Sequence, residues 1–281
     1  MPELPEVEVL VRHLDPQLRG QAIRQVGLVQ PPVLSPPDPT PADRLWRGRR
    51  IRQVRRRGKY IRVELDPAPG VPGFFWIHLG MTGRLWLQPA GAPLPPHTRM
   101  FWDLNRARLV FSDPRGFGRC GWDEAPLRRL GPEPLERPFT AARLGTLLVC
   151  SRQLLKARLL DQAVVAGLGN IYVCESLWEA GLSPVRRSDT LAGTEVARLV
   201  AAIRRVLRRA IRFGSRLNLD WAGTGRDRLF YFGRAAGGSS RSRERFAVYE
   251  REGDPCRRCG APIRRIVLAG RGTYFCPGCQ L

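Results

Sequence analysis

The chain has 281 residues, 43% of them hydrophobic, which is enough for two domains with their own cores and excludes wholesale disorder. Lysine and arginine number 47 against 25 acids, a formal net charge of +22 that calls for a polyanionic partner, nucleic acid before an anionic membrane. The longest uncharged stretch, 67–83, is broken by proline and glycine, and no signal-peptide pattern opens the chain, so neither a membrane span nor secretion is expected.

The first ten residues, MPELPEVEVL, run against the overall charge: they hold Glu3, Glu6 and Glu8 and no base. Residues 5–18 read as a helix, with Val7, Leu10, Val11 and Leu14 on one face and Pro5 suited to its first turn. Short β-type runs follow at 23–29, 50–54, 60–65, 74–78, 84–87, 100–104 and 108–111, so the first domain is mostly β and reads as a sandwich. The proline-rich PPVLSPPDPTPAD at 31–43 reads as a loop, because proline supplies no ladder donor. Residues 129–139, RLGPEPLERPF, read as a linker. Helical patterns occupy 140–150, 152–161, 170–181 and 193–213; in the last, Val196, Leu199, Val200, Ile203, Val206, Leu207 and Ile211 form an apolar face. A Gly/Ser/Arg-rich stretch, 232–245, reads as mobile.

Cys256, Cys259, Cys276 and Cys279 form two CxxC pairs with sixteen residues between them. That spacing suits four thiolates on one tetrahedral Zn²⁺, a closed and therefore structural site, in a reducing cytosol. Cys120, Cys150 and Cys174 are read as buried apolar residues. Arg271, in AGRGTY at the tip of the hairpin between the pairs, is either a solvated arginine or a phosphate clamp. VVAGLGNIY at 164–172 is either a structural turn or a phosphate site, with Asn170 as helix N-cap. In HLGMTG (78–83) and DPRGFG (113–118), Met81, Arg115 and Phe117 stand among glycines as core residues or as wedges for a base stack.

Only two lysines, Lys59 and Lys156, stand among 45 arginines (47 less 2), and lysine alone of the two can lose its proton. Pro2 completes the set. If Met1 is removed, the chain begins with a secondary amine; an ordinary α-amino group has a pKa of about 7.7–8.0, which leaves a useful neutral fraction. Such an amine can attack a sugar carbon and pass to an iminium Schiff base, with Glu3 beside it as general acid or base.

Taken together, PELPEVE (2–8), RRGKY (56–60), HLGMTG, DPRGFG, GLGNIY, AVYEREGDPC (247–256) and GRGTYFCPGCQ (270–280) resemble the formamidopyrimidine-DNA glycosylase family, the bacterial 8-oxoguanine DNA glycosylases. The resemblance runs from Pro2 to Gln280. It implies an α+β multi-domain protein: an N-terminal β-sandwich with an N-terminal helix (2–128), a linker (129–139), a helix-two-turn-helix DNA-binding domain (140–246) and a four-cysteine zinc finger (247–281). It implies a bifunctional glycosylase and β,δ-lyase acting on double-stranded DNA with oxidised bases or abasic sites, in the bacterial cytoplasm, with one structural Zn²⁺ and no obligate protein partner. Pro2 would attack the anomeric carbon and Glu3 would shuttle protons. Lys59 would contact the phosphate and sugar at the lesion. Asn170 and Arg271 would hold flanking phosphates, and His97 and Lys156 match further DNA-contacting positions. Met81, Arg115 and Phe117 would fill the gap left by the flipped nucleotide, with Arg115 reaching the orphaned cytosine; Glu6 would lie by the base pocket. The stretch at 232–245 would fall in the loop that closes over the everted base.

Three features depart from the pattern. Gly116 stands where the family often has a second arginine, residues 215–233 follow the usual sequence only loosely, and the 31–43 insert has no assigned role. Two rivals remain. An endonuclease VIII-type enzyme would share the Pro2–Glu3 chemistry but favour oxidised pyrimidines; Leu4 and the Arg115–Phe117 loop argue against it. A non-enzymatic zinc-dependent damaged-DNA-binding protein would have no need of a terminal proline.

Overall fold

The computed structural model describes residues 2–35, 42–216 and 246–281. The expected mobile stretch at 232–245, and 217–231 before it, lie outside the described residues, as does 36–41 of the proline-rich insert. The described chain divides into two compact units, one of residues 2, 6–35 and 42–128, the other of 3–5, 129–216 and 246–281.

In the first unit, helix α1 (Leu4–Leu18) turns Val7, Leu10, Val11, Leu14 and Leu18 inward at helical spacing, all at most 7% exposed. Eight strands follow: β1 (Ile23–Leu28), β2 (Ile51–Arg57), β3 (Tyr60–Leu65), β4 (Phe74–His78), β5 (Arg84–Pro89), β6 (Thr98–Leu104), β7 (Ala107–Ser112) and β8 (Arg119–Gly121). They form two antiparallel sheets, ordered β1-β6-β7-β5 and β2-β3-β4-β8. Strand β3 shows the physical rule: Ile61, Val63 and Leu65 are buried while Tyr60, Arg62 and Glu64 alternate outward. The centre of the core is aromatic, Phe75 stacked on Trp102 at 5.1 Å and Trp46 4.6 Å from Phe75.

Strand β8 and helix α2 (Ala42–Trp46) both go beyond the sequence pattern. Strand β8 has only three residues, too few for a period to declare itself. Helix α2 begins inside the stretch read as loop and drives Trp46, fully buried, into the core. The described start of the insert is packed as well: Val33 and Leu34 are buried, and Ser35 N–H donates to Cys120 O at 2.8 Å.

The second unit is helical: α4 (Ala141–Val149), α5 (Leu155–Leu160), α6 (Asn170–Ala180) and α7 (Gly193–Gly214), with the short α3 (Ala125–Arg128) closing the first unit before them. Helix α6 is buried almost all round, from Tyr172 to Trp178, as a central helix must be. Residues 129–139 are packed rather than free. Phe139 is fully buried, and Arg204 on α7 donates to the carbonyls of Pro134, Glu136 and Phe139. An antiparallel hairpin, β9 (Arg264–Leu268) and β10 (Arg271–Phe275), completes the unit. Among the described residues no helix is long and apolar enough to cross a membrane.

Candidate functional site

In the second unit the turn before α6 is built around residues 3 and 4. Leu4 N–H donates to Gly167 O at 3.0 Å. Gly167 has φ +85, and a Cβ there would come 2.8 Å from Leu4 Cβ; at Gly169 a Cβ would lie 2.3 Å from Glu3 Cδ. The glycines are therefore required by close approach. Gln162 closes the turn, donating to Leu168 O at 2.7 Å and accepting from Gly167 N–H at 3.0 Å. The Glu3 carboxylate is 2% exposed and accepts the N–H groups of Ile171 (3.0 Å) and Tyr172 (3.2 Å). A helix N-terminus has unpaired N–H groups and a positive dipole end, and here a carboxylate distant in sequence answers both.

The sequence pattern makes Asn170 the N-cap. In the structure Gly169 takes that place, because Glu3 already supplies the acceptor, and Asn170 becomes the first helical residue. Its Nδ2 instead donates to Gly272 O at 3.0 Å. The same carbonyl accepts from Lys156 Nζ at 3.1 Å, and Lys156 also donates to Thr273 Oγ1 at 2.6 Å. Lys156 is fully buried. Its ammonium holds the peptide that follows Arg271. Burial holds its pKa below the ordinary lysine value, and the Arg271 charge pulls the same way against a raising influence of Cys174.

Arg271 itself is exposed and opens β10, paired with Leu268. Between them Ala269 (φ 48) and Gly270 (φ 69) both take the left-handed conformation, the two-residue turn that matches strand twist. Nearby, Tyr249 faces Asn170, and burial raises its phenol to about 12. Glu175, buried in α6, accepts the N–H groups of Ala247, Val248 and Tyr249, each at 2.9 Å. Sequence reasoning singles out neither residue. The signal for Glu175 is the one charge within NIYVCESLW.

In the first unit Pro2 and Glu6 are buried beside and within the first turns of α1. Lys59 follows Gly58 (φ 58) in the β2–β3 turn and is 7% exposed. Arg56 braces that turn, donating to Glu8 Oε2 at 2.8 Å and to Gly58 O at 3.1 Å. Burial works against the Glu8 charge, but Arg56 and Arg12 outweigh it and hold its pKa below the usual value. His78, at the end of β4, belongs to the HLGMTG motif but has no role that the sequence assigns. Burial first, then the charges of Lys59 and Arg119, depress its pKa to about 4.

Met81 and Phe117 are 45% and 48% exposed, so the core reading of both falls. Arg115 is exposed and lies over the Phe117 ring at 4.8 Å. His97 is exposed with a left-handed backbone, φ 62. Gly116 has φ 67, and a Cβ there would come 3.2 Å from Arg99 Nη2.

The sulfur atoms of Cys256, Cys259, Cys276 and Cys279 all lie within 4.8 Å of one another, with Cys259–Cys276 at 3.4 Å and Cys256–Cys279 at 3.8 Å. Tetrahedral Zn²⁺ with bonds of about 2.3 Å requires sulfurs about 3.8 Å apart, so the four residues fit one ion. The Trp178 indole N–H points at Cys256 Sγ from 3.4 Å, fixing one ligand from the body of α6. Of the other cysteines, Cys120 and Cys174 are buried as expected; Cys150 is exposed at the end of α4.

The chain matches the family models of the formamidopyrimidine-DNA glycosylase N-terminal domain over residues 1–120, of its H2TH domain over 130–218, and of the zinc finger found in FPG and IleRS over 253–281. The formamidopyrimidine-DNA glycosylase of Dinoroseobacter shibae is 41% identical, with 100% of each chain covered. The crystal structure of the MutM (FPG) protein from Thermus thermophilus shares 42% identity and a TM-score of 0.80, covering 99% of this chain and 98% of that one. The Lactococcus lactis enzyme, solved non-covalently bound to DNA containing an AP site, has a TM-score of 0.82 at 32% identity, with 99% of each chain covered.

Proposed function

The chain belongs to the formamidopyrimidine-DNA glycosylase family, and from that premise we propose that it excises oxidised purines, 8-oxoguanine and formamidopyrimidines, from duplex DNA and then cleaves the strand as a β,δ-lyase. The observation that carries this reading is the Glu3 carboxylate, anchored on the α6 N–H groups one residue from Pro2. With Met1 removed, the Pro2 nitrogen attacks C1′, the damaged base leaves with a proton, and an iminium joins protein to sugar. Held in place by the helix, the Glu3 carboxylate passes protons to the sugar ring oxygen and during elimination.

The remaining roles follow from charge and exposure. Lys59 contacts phosphate and sugar at the lesion, and Arg271 with Asn170 holds flanking phosphates, Lys156 acting from beneath through Gly272 O. Met81, Arg115 and Phe117 enter the gap left by the everted nucleotide, and exposed apolar side chains are what such a wedge requires. His97 adds a backbone contact, and Glu6 borders the base. Zn²⁺, held by the four cysteines, supplies a cross-link that keeps the hairpin folded and takes no part in the reaction. The reduced cysteines and the DNA substrate suit the bacterial cytoplasm, at the nucleoid.

Borohydride trapping tests the reading. Wild-type protein incubated with an 8-oxoguanine:cytosine duplex and reduced gives a covalent adduct whose cross-linked peptide begins at Pro2, and Pro2→Gly gives none. An adduct only on an oxidised-pyrimidine duplex moves the chain to the pyrimidine-specific branch. Tight binding with no adduct on either duplex, Met1 being absent, leaves a DNA-binding protein.

A further inference from the structure

Three loops of the first unit carry the four exposed side chains assigned to DNA: 78–83 with Met81, 95–99 with His97, and 113–118 with Arg115 and Phe117. All three are fastened to one residue. Asp113 is fully buried. Its Oδ1 accepts the Thr82 hydroxyl of the first loop and, at 3.2 Å, the N–H of Arg115. Its Oδ2 accepts the Gly118 N–H at 2.7 Å. Its own N–H donates to His97 O at 3.0 Å, and its carbonyl accepts Arg99 Nε at 2.7 Å.

The loops are also too close to slide. A Cβ on Gly80 would lie 2.7 Å from the Phe117 carbonyl carbon, and one on Gly118 3.2 Å from His78 O. A buried carboxylate is costly unless its acceptor sites are filled, so this one specifies a single arrangement of the loops around it.

We propose that Asp113, with Thr82 as its link to the Met81 loop, is the positioning residue of base eversion: it holds Met81, Arg115 and Phe117 at one height so that they enter the stack together. The pair touches no substrate and acts through the wedge. An unlatched Met81 loop retains its side chain and loses its aim, and small misplacements of a wedge are expensive. The inference rests on the reading given under Proposed function.

Thr82→Val keeps the side-chain shape and removes the hydroxyl; Thr82→Ser restores it. Asp113→Asn sets an amide N–H against a donor on one side. For Thr82→Val, excision from an 8-oxoguanine:cytosine duplex falls about tenfold in kcat/KM. Strand cleavage at a preformed abasic site, where no base has to be everted, stays close to wild type. Thr82→Ser behaves as wild type, and Asp113→Asn exceeds the loss of Thr82→Val. The rise of 2-aminopurine fluorescence beside the lesion, which reports eversion directly, slows in parallel. If Asp113→Asn fails to fold, the Thr82 pair carries the test. Wild-type rates in Thr82→Val, or equal losses on both duplexes, overturn the proposal. A wild-type protein that cuts neither duplex rejects the functional reading instead, and the latch is then judged from the 2-aminopurine signal alone.

Discussion

In the first unit the wedge side chains assigned to the base stack stand out in solvent, Met81 at 45% and Phe117 at 48% exposure, on loops fastened from beneath by Asp113. In the second unit two charged groups of the site are buried, Glu3 at 2% and Lys156 at 0%, each held by main-chain or hydroxyl partners. Exposed apolar side chains make no demand on hydrogen bonding, so a well-anchored backbone is enough to aim them. Buried polar groups must find every partner in place, so their surroundings tolerate almost no displacement. The first region should therefore respond to loss of its latch, and the second to the addition of a single carbon.

Gly169→Ala is the sharpest test of that difference, since the new Cβ would fall 2.3 Å from Glu3 Cδ. Single-turnover excision should drop at least about 100-fold while thermal melting of the first unit is unchanged. Wild-type excision by this variant would break the comparison.

Glu175→Gln comes next. It exchanges a carboxylate that accepts three N–H groups for an amide that can place only one oxygen on them. Denaturant unfolding should report a loss of about 2–3 kcal/mol, assigned to the second unit.

The third test turns to the first unit and to pH. The His78 pKa is depressed to about 4 in the folded protein, by burial first and by Lys59 and Arg119 after it. The unfolded chain binds a proton near the ordinary histidine value and the folded one does not, so stability is full above about 6.5 and declines as pH falls from there toward 4. His78→Gln should flatten the melting temperature across that window; an unchanged slope would remove His78 as its cause.

The smallest effect belongs to the hairpin tip. Ala269 holds φ 48 without glycine's freedom, so Ala269→Asn should stabilise the protein by about 0.5–1 kcal/mol, read as a small rise in melting temperature with DNA affinity retained.

Much of this architecture is legible in the residues. The apolar spacing of Val7, Leu10, Val11 and Leu14 predicts α1, and the alternation in 60–65 predicts β3 to the residue. Helix α2 escapes because prolines dominate the stretch before it, and five residues hold too little period to outweigh them. Within the site, motif spacing picks out Glu3, Asn170, Lys156 and Arg271, but not what each touches. Asp113 lies inside the DPRGFG motif without an evident role, because a carboxylate in a loop is usually solvated; only the folded chain closes the 78–83 and 95–99 loops over it.

By itself, then, the sequence determined what depends on local order: helix and strand periods, the turn glycines, the metal-ligand spacing of the four cysteines and the charge that suits a polyanion. Tertiary structure decided what depends on distant partners. It set Lys156 on Gly272 O, gave the α6 N-terminus to Glu3 instead of Asn170, and pushed Met81 and Phe117 outward. The physical reason is that a side chain's burial and hydrogen-bond partners are properties of the whole packing arrangement. Residues more than a hundred positions apart compete for the same N–H and carbonyl groups, and no local pattern records the winner.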